Sequence, residues 1–211
     1  MKLYDYPRSS AAYRVRIALH LKGLAFEQVP VDLRAGEQRH EDYLERCPQG
    51  LVPYLEDEAF AVGQSQAIIE YLEERYPLPA LLPDDPEERA RARAIASAIT
   101  CDIHPLNNLR VLQYLNHEFG LDEERRRVWY RHWIAEGLRP LETMLAGRAR
   151  TFCVGASPTI ADVCLVPQMA NARRYECDVE PYPTLRRIDE HCRSLAAFAA
   201  AEPARQPGAS A

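Results

Sequence analysis

A short strand-like run at residues 2–6 precedes an amphipathic helix over residues 11–22, which Gly23 closes. Residues 26–31 read as a second strand, and Pro30 puts it at a sheet edge or marks its end. A polar, irregular helix covers residues 37–46. Strand signals return at residues 54–56 and, after a turn at Asp57-Glu58, at residues 59–62. A helix over residues 66–75 follows, with Pro77 as its terminator. The order β-α-β-α-β-β-α predicts a small mixed sheet covered by helices.

Residues 78–86 contain Pro79, Pro83 and Pro86 and read as a linker between residues 1–79 and 86–211. Beyond it the period is helical almost throughout. The pattern predicts helices over residues 87–101, 106–119, 123–145, 163–174 and 184–201, with a frayed tail from 203 to 211. Thr159-Ile160-Ala161-Asp162 has the spacing of a capping box, with Asp in place of the usual Glu or Gln. The fold class is therefore α/β followed by all-α.

With 211 residues, 47% of them hydrophobic and 27% charged, the chain can bury a substantial core. A net charge of −5 disfavours nucleic acid as a partner. The first eight residues carry no signal-like apolar core and no apolar run reaches membrane-spanning length, so a cytoplasmic location is expected. None of the six cysteines forms a C-x-x-C pair and there is no H-E-x-x-H, so reduced core cysteines and no metal site are expected.

The candidate chemistry lies at helix starts. Arg8-Ser9-Ser10 puts two hydroxyls where orphan N–H groups and the positive end of the helix dipole gather. Such a place holds an anion, and a thiolate is an anion whose formation it favours; the same serines equally suit plain N-capping. Gln64-Ser65 opens the 66–75 helix and offers the same choice between carboxylate binding and capping.

Further along and around these positions the chain reads Ser9-Ser10-Ala11-Ala12-Tyr13-Arg14-Val15-Arg16-Ile17-Ala18-Leu19, Val52-Pro53, Gln64-Ser65-Gln66-Ala67-Ile68-Ile69-Glu70-Tyr71, Asp102-Ile103-His104-Pro105-Leu106-Asn107-Asn108-Leu109-Arg110, the box from Thr159 to Asp162, and Asn171-Ala172-Arg173-Arg174-Tyr175. Through these motifs, taken end to end, it resembles the zeta-class glutathione transferases, the maleylacetoacetate and maleylpyruvate isomerases. Ala11 stands where the class has cysteine and Tyr13 where it has tryptophan. The resemblance implies a thioredoxin-like N-terminal domain followed by a helical glutathione-transferase C-terminal domain, a homodimer, and glutathione as cofactor.

It also implies roles. Ser9 would hydrogen-bond the glutathione sulfur, with Ser10 and Ala11 adding backbone N–H groups. Val52, before a cis-Pro53, would pair with the cysteinyl moiety, and Gln64 and Ser65 would hold the γ-glutamyl carboxylate. Gln38 and Gln49 fall where the family meets the glycyl end, or are surface polar residues. His104 would touch glutathione or serve structure, with Asn108 one turn on. Arg8, Arg110 and Arg174 would clamp the carboxylates of a small dicarboxylate substrate. The implied reaction is a glutathione-dependent cis–trans isomerisation of maleylpyruvate or maleylacetoacetate in aromatic compound degradation. A transferase or dehalogenase acting on α-halo acids, and a non-catalytic glutathione-binding module, are the rival readings.

Overall fold

Leu3, Tyr4 and Asp5 of β1 (Lys2–Asp5) are buried, so this strand is covered on both faces. It lies in a four-stranded sheet of order β2-β1-β3-β4, with β2 at Glu27–Pro30, β3 at Tyr54–Asp57 and β4 at Phe60–Gly63. β1 runs parallel to β2 and antiparallel to β3, and β3 runs antiparallel to β4. The structure is a computed structural model and describes residues 1–209. Pro30, lacking an N–H for a further ladder bond, ends the edge strand β2.

The first compact unit comprises Met1–Leu81 and Ser194–Ala211. In it α1 (Ser10–Leu21) buries Ala12, Val15, Ile17, Ala18 and Leu19, and with them the charged Arg14 and Arg16. Gly23, at φ 64°, takes the chain out of the helix as expected. The irregular stretch at 37–46 resolves into a 3-10 turn, Glu37–Arg39, and α2 (Glu41–Arg46), separated by an extended His40. α3 (Ser65–Arg75) packs on α1 through Ile68, Ile69 and Leu72.

The second unit, Leu82–Arg193, is helical. Asp85 caps α4 (Pro86–Ser97) by accepting from Glu88 N at 2.9 Å, with Pro86 in the first turn, where its missing N–H costs nothing. The helix expected over 87–101 does not continue regularly. It widens into a π segment, Ala98–Ile103, then tightens into a 3-10 turn, His104–Asn107. Asn108 is extended and caps α5 (Leu109–Phe119). The helix expected from 106 therefore starts later, and His104 and Asn108 do not share a continuous helix face.

Packing against α6 (Glu123–Leu145) accompanies this irregularity. A Cβ on Gly137 would lie 2.2 Å from both Cγ1 and Cδ1 of Ile103, so only a hydrogen leaves room there. α7 (Ile160–Arg174) opens on the expected capping box. The buried Asp162 carboxylate accepts from Thr159 N, from the Thr159 hydroxyl and from Cys153 N at 2.8–2.9 Å. Burial pushes this carboxyl up from the ordinary range, and the bonds it accepts pull it back.

The helix expected over 184–201 breaks at an extended Leu195 into α8 (Pro183–Ser194) and α9 (Ala196–Ala200). The chain beyond is not frayed through the described residues: a 3-10 turn, Pro203–Arg205, is followed by a buried Gln206 that donates to Ala200 O and Glu202 O. All six cysteines are free thiols, and Cys47, Cys153, Cys164 and Cys192 are buried. No helix among the described residues is long and apolar enough to cross a membrane.

Gly137→Ala should destabilise the protein by about 2 kcal/mol in a denaturant melt through overpacking against Ile103. The double change Gly137→Ala with Ile103→Ala should recover part of that loss relative to the sum of the single changes.

Candidate active site

Antiparallel pairing of Tyr4 with Tyr54, and of Tyr54 with Gly63, sets three chain ends side by side. The C-terminal end of β1, the N-terminal end of β3 and the C-terminal end of β4 all lie at one end of the sheet. The chain segments entering or leaving there are Tyr6 to Ser9, Val52-Pro53 and Gln64-Ser65. Parallel pairing of Asp5 with Pro30 sends the segment that leads to Gln38 out of the same end.

Ser9 is the N-cap of α1: its Oγ accepts from Ala12 N at 3.2 Å and its own N–H donates to Tyr6 O at 2.9 Å. Capping uses an acceptor lone pair and leaves the hydroxyl proton to donate elsewhere. The first turn of α1 carries no acidic residue, so nothing there neutralises the helix dipole. The backbone N–H groups of Ser10 and Ala11 have no partner among the described residues. Arg8 is exposed beside them.

The Val52–Pro53 peptide is cis, as is Leu78–Pro79. Val52 is buried, and neither its N–H nor its carbonyl has a partner among the described residues. The Tyr43 hydroxyl donates to Leu51 O at 2.7 Å and the Cys47 thiol to the same oxygen at 3.5 Å, which holds the turn before Val52 in place. Tyr4 packs edge-on with both Tyr43 and Tyr54 beneath it.

Three glutamines gather around this turn. Gln64 Nε2 donates to Gln49 Oε1 at 2.8 Å, and a Cβ on Gly50 would lie only 2.9 Å from the Gln38 carbonyl oxygen. Gln38 is buried with its side-chain Oε1 left as an acceptor without a donor. Gln64 precedes α3 at φ 67°, ψ 113°, a backbone conformation rare outside glycine. Ser65 is not the cap: it is the first helical residue, and its buried Oγ accepts from Arg14 Nη1 at 3.3 Å. The first turn of α3 also lacks an acidic residue.

Sequence reasoning does not single out Arg14. The available signal is the pair of arginines, Arg14 and Arg16, inside the apolar stretch of one helix, where a charge is buried only with partners.

In the second unit, the segment from His104 to Arg110 and the end of α7 are anchored on the same turn of α6. Trp129 Nε1 donates to Leu106 O at 2.9 Å, and Asn107 Nδ2 donates to Tyr130 O at 3.3 Å. The Tyr130 ring stacks on Tyr175 at 3.5 Å, and Arg131 Nε donates to Tyr175 O at 2.7 Å. The Arg174 guanidinium lies 5.5 Å from the centre of the Tyr175 ring. Asn108 Oδ1 accepts from Arg110 N at 3.2 Å, which leaves its amide nitrogen as a donor. Arg8, Arg110 and Arg174 are exposed, and none is in an ion pair among the described residues.

Within the first unit, Ser9, Ser10, Ala11, Val52, Pro53, Gln38, Gln49, Gln64 and Ser65 thus converge on one end of the sheet. Two helix N-termini without acidic neighbours and an unpaired stretch of backbone suit a peptide-like molecule with anionic ends.

A model of the glutathione S-transferase N-terminal domain matches residues 3–80. The chain is 49% identical over 209 residues to a probable maleylacetoacetate isomerase of Vibrio cholerae, covering 98% of this chain and 97% of that one. The holo structure of a maleylpyruvate isomerase, a bacterial zeta-class glutathione S-transferase, superposes with a TM-score of 0.97 at 46% identity, over 99% of both chains. A maleylacetoacetate isomerase from Methylobacterium extorquens AM1 with bound malonate and glutathione also superposes with a TM-score of 0.97, at 44% identity over the full length of both chains.

Because Gln64 sits at a positive φ, Gln64→Gly should be more stable than Gln64→Ala by about 1 kcal/mol, reversing the usual order of these residues. Parallel denaturant melts of the two variants check this.

Proposed function

This chain belongs to the zeta-class glutathione transferases, and from that premise we propose that it is a glutathione-dependent cis–trans isomerase acting on maleylpyruvate or maleylacetoacetate. The observation that carries the reading is the convergence of Ser9, Val52 and Ser65 on one sheet end, in a chain that matches such isomerases over nearly its whole length. Glutathione, when bound, supplies the thiol that adds to the cis double bond and then leaves it, so that it is returned and no redox change occurs.

The residues present fit that molecule. The unpartnered backbone of Val52 suits the amides of a peptide, and the orphan Oε1 of Gln38 accepts one more N–H. Ser65, with the α3 N-terminus and Arg14 behind it, holds a carboxylate. Ser9 donates its remaining hydroxyl proton to sulfur, and the α1 dipole with the Ser10 and Ala11 amides lowers the cost of the thiolate. His104 and Asn108 are the further polar residues that the family resemblance assigns to glutathione. Arg8, Arg110 and Arg174, forked cations in no ion pair among the described residues, are the groups this reading assigns to the carboxylates of the substrate. Ala11 removes the only thiol the class motif would put beside the site, so the chemistry rests on the cofactor sulfur. A cytoplasmic homodimer acting in aromatic compound degradation belongs to the same reading.

An ultraviolet assay of freshly generated maleylpyruvate and maleylacetoacetate, each with and without catalytic glutathione, tests it. The expected result is conversion to the fumaryl isomer that depends on glutathione and leaves its concentration unchanged. Stoichiometric loss of glutathione with an α-halo acid, and no turnover of either maleyl compound, would replace the isomerase with a transferase or dehalogenase.

Ser9→Ala should fold but lose the thiolate absorbance of bound glutathione, with turnover down by about a hundredfold or more. Arg110→Met and Arg174→Met should each keep that absorbance and lower kcat/KM by tens to about a thousandfold.

A further inference from the structure

Arg16 has no exposed surface, and each part of its guanidinium is used. Nη1 donates to both carboxylate oxygens of Asp5, at 2.7 and 2.8 Å. Nη2 donates to Pro7 O at 3.1 Å, and Nε to Ala201 O at 3.1 Å. Pro7 O belongs to the peptide that leads directly into Arg8, Ser9 and Ser10. Ala201 lies at the end of α9. One side chain thus joins the strand end, the loop that carries the candidate thiol ligand, and the C-terminal segment.

A second set of contacts joins the strand end to the C-terminal segment without Arg16. Gln28 Nε2 donates to Asp5 Oδ2 at 2.8 Å and to Gln206 Oε1 at 2.9 Å. Gln206 Nε2 closes the tail on itself through Ala200 O and Glu202 O. A Cβ on Gly208 would lie 3.9 Å from Pro7 Cγ, so the tail also runs past the loop's first residue. α9 packs along α1, the helix whose N-terminus the loop caps.

We infer that Arg16 is a positioning residue through which the segment from Ala196 to Gly208 braces the Pro7-to-Ser10 loop and so fixes Ser9 for thiolate formation. The part of this inference that concerns the thiolate rests on the function proposed above; the brace itself does not. A guanidinium in this position works by geometry. Its N–H groups point at three fixed acceptors at once, which a lysine ammonium on a flexible stem does not reproduce. With the brace loosened, the loop samples positions in which the Ser9 hydroxyl and the Ser10 and Ala11 amides no longer converge.

The test uses the full-length chain with Arg16→Lys and, separately, Gln206→Ala. The second variant leaves the buried Arg16–Asp5 pair intact and carries the test if the first does not fold. Two quantities are read: hydrogen exchange of the amides at residues 8–12 without any ligand, and the pKa of the glutathione thiol bound to each variant, from its ultraviolet absorbance. Loss of the Arg16–Pro7 bond, or of the Gln206 contacts that hold the tail beside it, should speed exchange of the hydrogen-bonded Ser9 and Ala12 amides by up to about tenfold. The bound thiol pKa should rise by about one unit, and kcat should fall with little change in KM for glutathione. A lower melting temperature in both variants, with unchanged exchange at residues 8–12 and an unchanged thiol pKa, would overturn the brace and leave Arg16 as a purely structural residue. Absence of any bound thiolate in the unmodified protein would instead overturn the thiolate role, while the exchange result would still decide the brace.

Discussion

The register of β3 between its two antiparallel neighbours is the constraint on which the site depends. Tyr54 faces Tyr4 on one side and Gly63 on the other, so three turns far apart in the chain emerge together. A slip of one residue in either ladder would reverse which face each side chain presents. It would also carry Val52-Pro53 away from the start of α1 or the start of α3. The Tyr4, Tyr43 and Tyr54 rings packed beneath this end resist such a slip.

The charges buried on α1 serve this arrangement in different ways. Arg16 donates through Nη1 to both Asp5 oxygens and spends Nη2 and Nε on backbone carbonyls, which is how a fully desolvated guanidinium is tolerated. Burial still pulls its pKa below the ordinary arginine value, with Asp5 pushing it back. Removing one member of a buried ion pair typically costs about 3–5 kcal/mol, because it strands the other. Arg14 points to Ser65 and so adds positive potential at the start of α3. Lys22, just beyond the helix, acts as a tether. It binds Glu73 at 2.7 Å and the carbonyls of Tyr76 and Pro79, tying the end of α3 to the end of α1.

The two units differ in what they present. The first gathers hydroxyl groups and unpaired backbone at one end of its sheet. The second carries the exposed Arg110 and Arg174 on segments held by α6. Irregular helix is concentrated just before Arg110: a π segment, a 3-10 turn and an extended cap fall between Ala98 and Asn108. Deviations of this kind are common at functional positions, where a regular 3.6-residue period would point the side chains elsewhere.

Much of this was legible in the sequence because it depends on local rules. The strand and helix order of the first eighty residues, the capping box at Thr159 with its Asp162, the glycine exit from α1 and the edge position signalled by Pro30 follow from periodicity, caps and backbone restriction within a few residues. The serines at the start of α1 and the Gln64-Ser65 pair marked candidate anion sites for the same reason, whereas Val52-Pro53 was marked by the family resemblance. The tertiary structure alone decided what required partners distant in the chain: the break in the helix expected over 87–101, where Ile103 packs on Gly137; the break at Leu195; and the ordered tail, held through Gln206 and Arg16. It also decided that Ser65 meets a buried Arg14 instead of capping its helix. Periodicity reports which side of an element faces inward, but not which residue waits there, and a buried arginine becomes intelligible only when its acceptors, brought from other segments, are in place.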